Sequence, residues 1–183
     1  MPWDTQAPWT FKDALVVARE LERLSVFWME EPLHRGDRAG MRALRGAISV
    51  RVAAGEMTRQ LHEFRDLITG ECVDVLQPDA ALVGGITGLR RVALMAQEHN
   101  LIFTPHTWTN GMGVTANAHL VAGLCDTPFL EFPFDPPEWS LARRDYMMTE
   151  PLKADRDGWI NLSDAPGMGY ALDEGRLLAT RIG

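Results

Sequence analysis

Five side chains able to hold a cation or move a proton recur at a nearly constant interval: Glu30, Glu56, Asp79, His106 and Glu131. The steps between them are 26, 23, 27 and 25 residues, the length of one strand, one helix and their two loops. Each closes an apolar run. Val26-Phe27-Trp28-Met29 leads into Glu30-Glu31-Pro32, and Val50 to Gly55 leads into Glu56. Val73 to Pro78 leads into Asp79, Leu101 to Pro105 into His106, and Phe129-Leu130 into Glu131. Hard carboxylate oxygens select magnesium, manganese or calcium over softer ions, and Glu30 and Glu56 are the natural ligands. A carboxylate such as Asp79 beside an imidazole such as His106 fixes its tautomer and raises its basicity, as a general base requires. His62, His99 and His119 fall on helical segments remote from the strand ends and, with His34, are read as ordinary structural histidines.

Side chains this far apart in sequence converge only if something aligns them. The apolar runs read as short strands buried on both faces, as in a parallel sheet. Pro32 stops the first, because proline cannot donate to the next rung of a ladder. The segments between them carry apolar residues at helical spacing. Ala14, Leu15, Ala18, Leu21 and Leu24 mark a helix over about 11–24, begun by Thr10 with Asp13 three places on. Met41, Leu44 and Ile48 mark a second, and Leu61, Phe64, Leu67 and Ile68 a third, closed by Gly70. Leu89 to His99 forms another after Gly84-Gly85, and a glycine-broken loop at Gly111 and Gly113 leads to a helix over about 115–123. Strands therefore sit at 26–30, 50–56, 73–79, 101–106 and 129–132, alternating with helices, which predicts a parallel sheet of right-handed βα units. The carboxyl ends of such strands meet at one rim, where (β/α) barrels and open α/β sheets keep their chemistry. Residues 133–183 read as an irregular C-terminal segment of the same domain, with Pro133, Pro136 and Pro137 excluding one regular element and Leu172 to Leu178 as a closing helix.

The 183 residues suit one domain, spanning 1–183, with a sizeable core. A net charge of −7 leaves no electrostatic footprint for nucleic acid or an anionic membrane and suits a site that collects a divalent cation. Cys72 and Cys125 make no disulfide framework, which points to a reducing cytoplasm. No apolar run is long enough to span a bilayer, and the first residues read as neither signal nor transit peptide.

Several of these stretches together resemble the barrel domain of the enolase superfamily. They are Trp28-Met29-Glu30-Glu31-Pro32, Ala54-Gly55-Glu56, Gln77-Pro78-Asp79, Gly84-Gly85-Ile86-Thr87 and Thr104-Pro105-His106. Within it they resemble the mandelate racemase/muconate lactonizing enzyme-like subgroup, which includes many acid-sugar dehydratases. The resemblance implies an α/β fold, an incomplete (β/α) TIM-type barrel of about five parallel strands without the capping domain. It implies Mg²⁺ held by an Asp, a Glu and a Glu on successive strands. Glu30 and Glu56 match the second and third; the first is Asp4, 26 residues before Glu30, or a residue upstream of Met1. It implies His106 with Asp79 as the base, and Glu131 as the last-strand acid that bonds the substrate carboxylate or the enediolate. Arg59, just past Glu56, would bind a hydroxylated substrate. The activity implied is Mg²⁺-dependent removal of the proton α to a carboxylate, with dehydration of a sugar acid. Racemisation, or a non-catalytic fragment that docks on another polypeptide, are the alternatives. Open strand edges at 26–30 and 129–132 predict a chain that is marginal or self-associating, as a homo-oligomer or through those edges, and without dehydratase turnover by itself.

Overall fold

The computed structural model describes residues 9–124 and 127–181. Its first two thirds repeat one unit. Helix α1 (Phe11–Arg23) precedes strand β1 (Trp28–Glu30), α2 (Arg38–Ala47) precedes β2 (Arg51–Ala54), α3 (Leu61–Thr69) precedes β3 (Val75–Leu76), and α4 (Gly85–Glu98) precedes β4 (Ile102–Phe103). Helix α5 (Gly111–Leu124) follows. The strands form one sheet in the order β1-β2-β3-β4, every pair parallel. This is the α/β barrel-type architecture expected, with four paired strands instead of about five. The predicted strand at 129–132 makes no ladder pairing among the described residues. It is tied to the end of β4 by side chains instead, because the Thr104 hydroxyl donates to the Phe129 carbonyl at 2.8 Å.

The repeat has a local cause. Helices α1, α3 and α4 each end in a turn whose next residue but one donates back to a carbonyl five residues earlier: Val26 to Leu21, Cys72 to Leu67 and Leu101 to Ala96, all within 2.9–3.0 Å. Ser25, Glu71 and Asn100 take the left-handed conformation these turns need. Glu71, not the expected Gly70, is thus the left-handed residue after α3. Helix α1 opens on the expected reciprocal cap between Thr10 and Asp13. The core lies between sheet and helices, with Val52, Leu76, Phe64, Leu89 and Val92 fully buried. The predicted glycine-broken loop is instead the first turn of α5. A side chain at Gly111 would meet Asp145 and Met148 at 2.3 Å, so this glycine permits close packing and breaks nothing.

Beyond α5 the chain changes character. Short helices α6 (Leu141–Arg144) and α7 (Glu174–Ala179) and three isolated antiparallel bridges are its regular structure among the described residues. Arg144 holds it together. Its guanidinium is fully buried, donates twice to Asp145 at 2.6 Å and to the carbonyls of Leu152 and Pro133 at 2.6 and 3.2 Å, and lies 4.2 Å from the Phe132 ring centre.

Candidate active site

The ladder continues past the strands and aims the residues that follow them. The Glu31 amide donates to Ala53 O at 2.9 Å, Gln77 to Ala54 O at 3.0 Å, and His106 to Pro78 O at 3.1 Å. His106 is therefore set beside Asp79 by backbone register. Its Nδ1 lies 3.2 Å from Asp79 Oδ2, and its Nε2 lies 3.4 Å from Glu56 Oε2. Asp79 is 0% exposed, and its other oxygen accepts from the Ala81 amide at 2.8 Å. With both oxygens accepting, the carboxylate requires the proton on Nδ1 and leaves the Nε2 lone pair toward Glu56 and the cleft.

Asn117 on α5 fixes the two loops against each other. Its side chain donates to His106 O at 2.9 Å and Thr107 Oγ1 at 2.8 Å and accepts from the Ala80 amide at 3.1 Å. Glu30 accepts from the Gln77 amide group at 2.8 Å. Glu131 accepts from the Thr107 amide. Sequence placed Glu131 at a strand end; side-chain bonds bring it to the same cleft without a strand. Glu31 adopts φ 42 and turns its carboxylate onto the Gly55 amide at 2.8 Å. Gly55 needs its φ of 127, and a Cβ there would stand 3.1 Å from the Phe64 ring. The residue before Glu56 is thus held from both sides.

Glu30, Glu56, His106 and Glu131 line one open cleft of about 940 Å³, whose lining also includes Trp108, Trp139 and Arg143. Arg59 lies elsewhere, lining a neighbouring cavity of about 530 Å³ with Glu31, His34 and Glu63. Asp4 lies outside the described residues, as does Cys125. Two of the histidines read as structural are so engaged: His34 accepts from the Gly36 amide and His119 contacts Met168 O at 2.9 Å.

The cleft is crowded with negative charge. Burial raises the Glu56 carboxyl above its ordinary range, opposed by His106 and reinforced by Glu30. Burial likewise raises Glu131, against the pull of the Thr107 amide. For His106, burial acts against the imidazolium, but the Asp79 hydrogen bond and the charges of Glu131 and Glu56 outweigh it and the pKa rises. Among the described residues no three His, Cys, Asp or Glu side chains group as a complete metal site. Glu30 and Glu56 nonetheless fit two positions on a hard divalent cation, being oxygen donors whose mutual repulsion such an ion would relieve.

Asn117, Trp108, Trp139 and Arg143 were not singled out by sequence, and Glu31 and Gln77 stood in its motifs without a role of their own. A signal existed for Gln77, which lies two residues before Asp79 on the same strand face. None existed for Asn117, a polar residue inside an apolar helix.

A parallel strand and helix repeat with acids and a histidine gathered at the strands' carboxyl ends defines a (β/α)-barrel type of enzyme site. The chain belongs to the family described as Enolase C-terminal domain-like, whose model matches residues 3–176, and its relatives are mandelate racemase/muconate lactonizing enzyme-like members of the enolase superfamily. It is 32% identical over 171 residues to L-talarate/galactarate dehydratase of Salmonella typhimurium, covering 93% of this chain and 39% of that protein. It superposes with a TM-score of 0.84 on the 3,6-anhydro-D-galactonate cycloisomerase of Zobellia galactanivorans, at 31% identity over 94% of this chain and 48% of that one. A variant of an L-talarate/galactarate dehydratase, solved with Mg and L-glucarate, superposes with a TM-score of 0.78 at 29% identity, over 95% of this chain and 40% of that one. The chain spans about two-fifths of the length of the curated relatives it matches. The family is enzymatic, its relatives being named dehydratases and cycloisomerases. No helix among the described residues is long and apolar enough to cross a membrane.

Proposed function

We propose that this chain carries the base and two metal ligands of a site that removes the proton α to the carboxylate of a sugar acid and expels the β-hydroxyl. The observation that carries this is His106 held between Asp79 and Glu56 at the cleft, one nitrogen fixed by a buried carboxylate. Names among the relatives support the substrate class: talarate/galactarate, arabinonate and D-gluconate dehydratases. Glu30 and Glu56 would hold Mg²⁺, with Asp4 or another residue as the remaining ligand. When bound, the ion supplies positive charge to the substrate's carboxylate.

His106 Nε2 takes the α-proton, and the carbon–hydrogen pair moves into the enediolate. Asp79 keeps the proton on Nδ1 and stabilises the imidazolium that results. Glu131, its carboxyl raised by burial against the pull of the Thr107 amide, would face the enediolate as it forms and bond it there. The imidazolium then returns its proton to the β-hydroxyl, the carbon–oxygen bond breaks, water leaves, and the enol becomes a keto-deoxy acid. Arg59 lines the neighbouring cavity, which shares Met57 with the cleft, and would meet a hydroxylated substrate that extends there.

Proton exchange tests this without complete turnover. In heavy water with Mg²⁺, the α-hydrogen of a bound aldonate or aldarate should be replaced by deuterium, read by NMR. His106→Asn should abolish the exchange. Exchange at the unaltered rate in that variant would place the base elsewhere.

A further inference from the structure

Trp108, Trp139 and Arg143 form one group in the cleft lining, unlike the acids that share it. Glu30, Glu56, Glu131, Asp135 and Glu138 surround the opening with carboxylates, and among the described lining residues Arg143 carries the one guanidinium. Trp108 and Trp139 stack beside it, their ring centres 6.4 Å apart and their planes within 13°. Arg143 lies over the Trp139 ring at 5.9 Å. Its guanidinium donates to the Glu138 carbonyl at 3.0 Å and passes the Glu138 carboxylate at 3.7 Å, with its side chain still 63% exposed. That leaves most of its five donors available. The Trp139 indole N–H has no partner among the described residues, so stacking, not hydrogen bonding, holds the ring in place.

An incoming sugar acid places one carboxylate at the reacting end. A second negative charge would meet repulsion from the carboxylates around the opening and attraction at Arg143. A guanidinium fork matches a carboxylate in two parallel bonds. Indole faces cover carbon–hydrogen surface and leave hydroxyls free at the edges. We propose that Trp108, Trp139 and Arg143 form a distal subsite that selects a dicarboxylic sugar acid, Arg143 taking the carboxylate remote from the reacting carbon. This rests on the sugar-acid reading above and adds the second acid group to it.

Two matched pairs separate the claims: galactarate with galactonate, and glucarate with gluconate, each pair differing only in whether the far end is a carboxylate. Calorimetric titration of the 183-residue chain with Mg²⁺ present should show a diacid bound more tightly than its partner. Arg143→Gln should weaken the diacid by roughly tenfold or more and change the monoacid by less than about twofold. Trp108→Ala, at a half-exposed ring, should weaken both members of a pair alike. Equal weakening of diacid and monoacid by Arg143→Gln, or no weakening of either, overturns the subsite and leaves the sugar-acid reading standing. Failure of all four acids to bind the unaltered chain removes that reading and the subsite with it.

Discussion

The two sides of the cleft are held by different kinds of bond. On the sheet side, Glu30, Glu56, Asp79 and His106 stand where parallel strands β1 to β4 end, and ladder bonds carry the register to the residues beyond. On the wall side, Glu131, Trp139 and Arg143 belong to a segment without ladder pairing to the sheet, held by the buried Arg144–Asp145 pair, ring stacking and isolated bridges. A ladder places residues by counting; a side-chain staple places them by a few contacts, each indispensable. The sheet side suits groups that must stay in fixed relation to a proton. The wall side can vary with the ligand.

The wall side depends most heavily on Arg144. Arg144→Met leaves Asp145 buried without its charge partner and two carbonyls without donors, and should cost about 3–5 kcal/mol in urea unfolding. Hydrogen exchange should show protection lost across residues 133–181 and kept in β1 to β4. Equal loss in both would make them one cooperative unit. A smaller effect belongs to Asn117, which joins the loops after β3 and β4. Asn117→Ala strands the buried Ala80 amide and should cost about 1–3 kcal/mol, with a displaced His106 resonance; an unmoved resonance would show that the ladder alone positions the dyad.

The smallest effect is a control on the sheet side. Glu22 accepts from the Ser49 amide and from Arg19, tying α1 to the entry of β2. The Ser49 amide first, then Arg19, lowers its carboxyl from the ordinary 4.5 to about 2. A lowered carboxylate adds stability that is present above the unfolded value and lost as pH falls through the folded one. The contribution should therefore disappear between about pH 4.5 and pH 2. Carboxyl chemical shifts of Glu22 measured against pH check it, and a midpoint near the ordinary value would show the tie to be absent in solution.

The same division explains what could be read from the sequence. Glu30, Glu56, Asp79 and His106 were legible because a constant interval and an apolar run before each reflect a repeated strand and helix. Glu131 was found by the interval although its segment does not pair, since Thr104 and Thr107 hold it where a strand would. Gly111 and Gly113 misled, because glycine marks a close approach as readily as a break. Arg59 followed Glu56 in sequence, yet the turn after β2 carries it to a separate cavity. Arg144, Asn117 and the Trp108–Trp139 stack were not legible, because long-range side-chain contacts leave no period behind.

If the sheet fixes His106 as its register implies, the imidazole carries its proton on Nδ1 and leaves Nε2 as the base at the cleft. Imidazole nitrogen chemical shifts, recorded by NMR above the His106 pKa, measure this directly. The expected result is a single tautomer protonated at Nδ1 in the unaltered chain, giving way to a tautomer mixture in Asp79→Asn. A proton found on Nε2 in the unaltered chain, or an unchanged tautomer in Asp79→Asn, would contradict it.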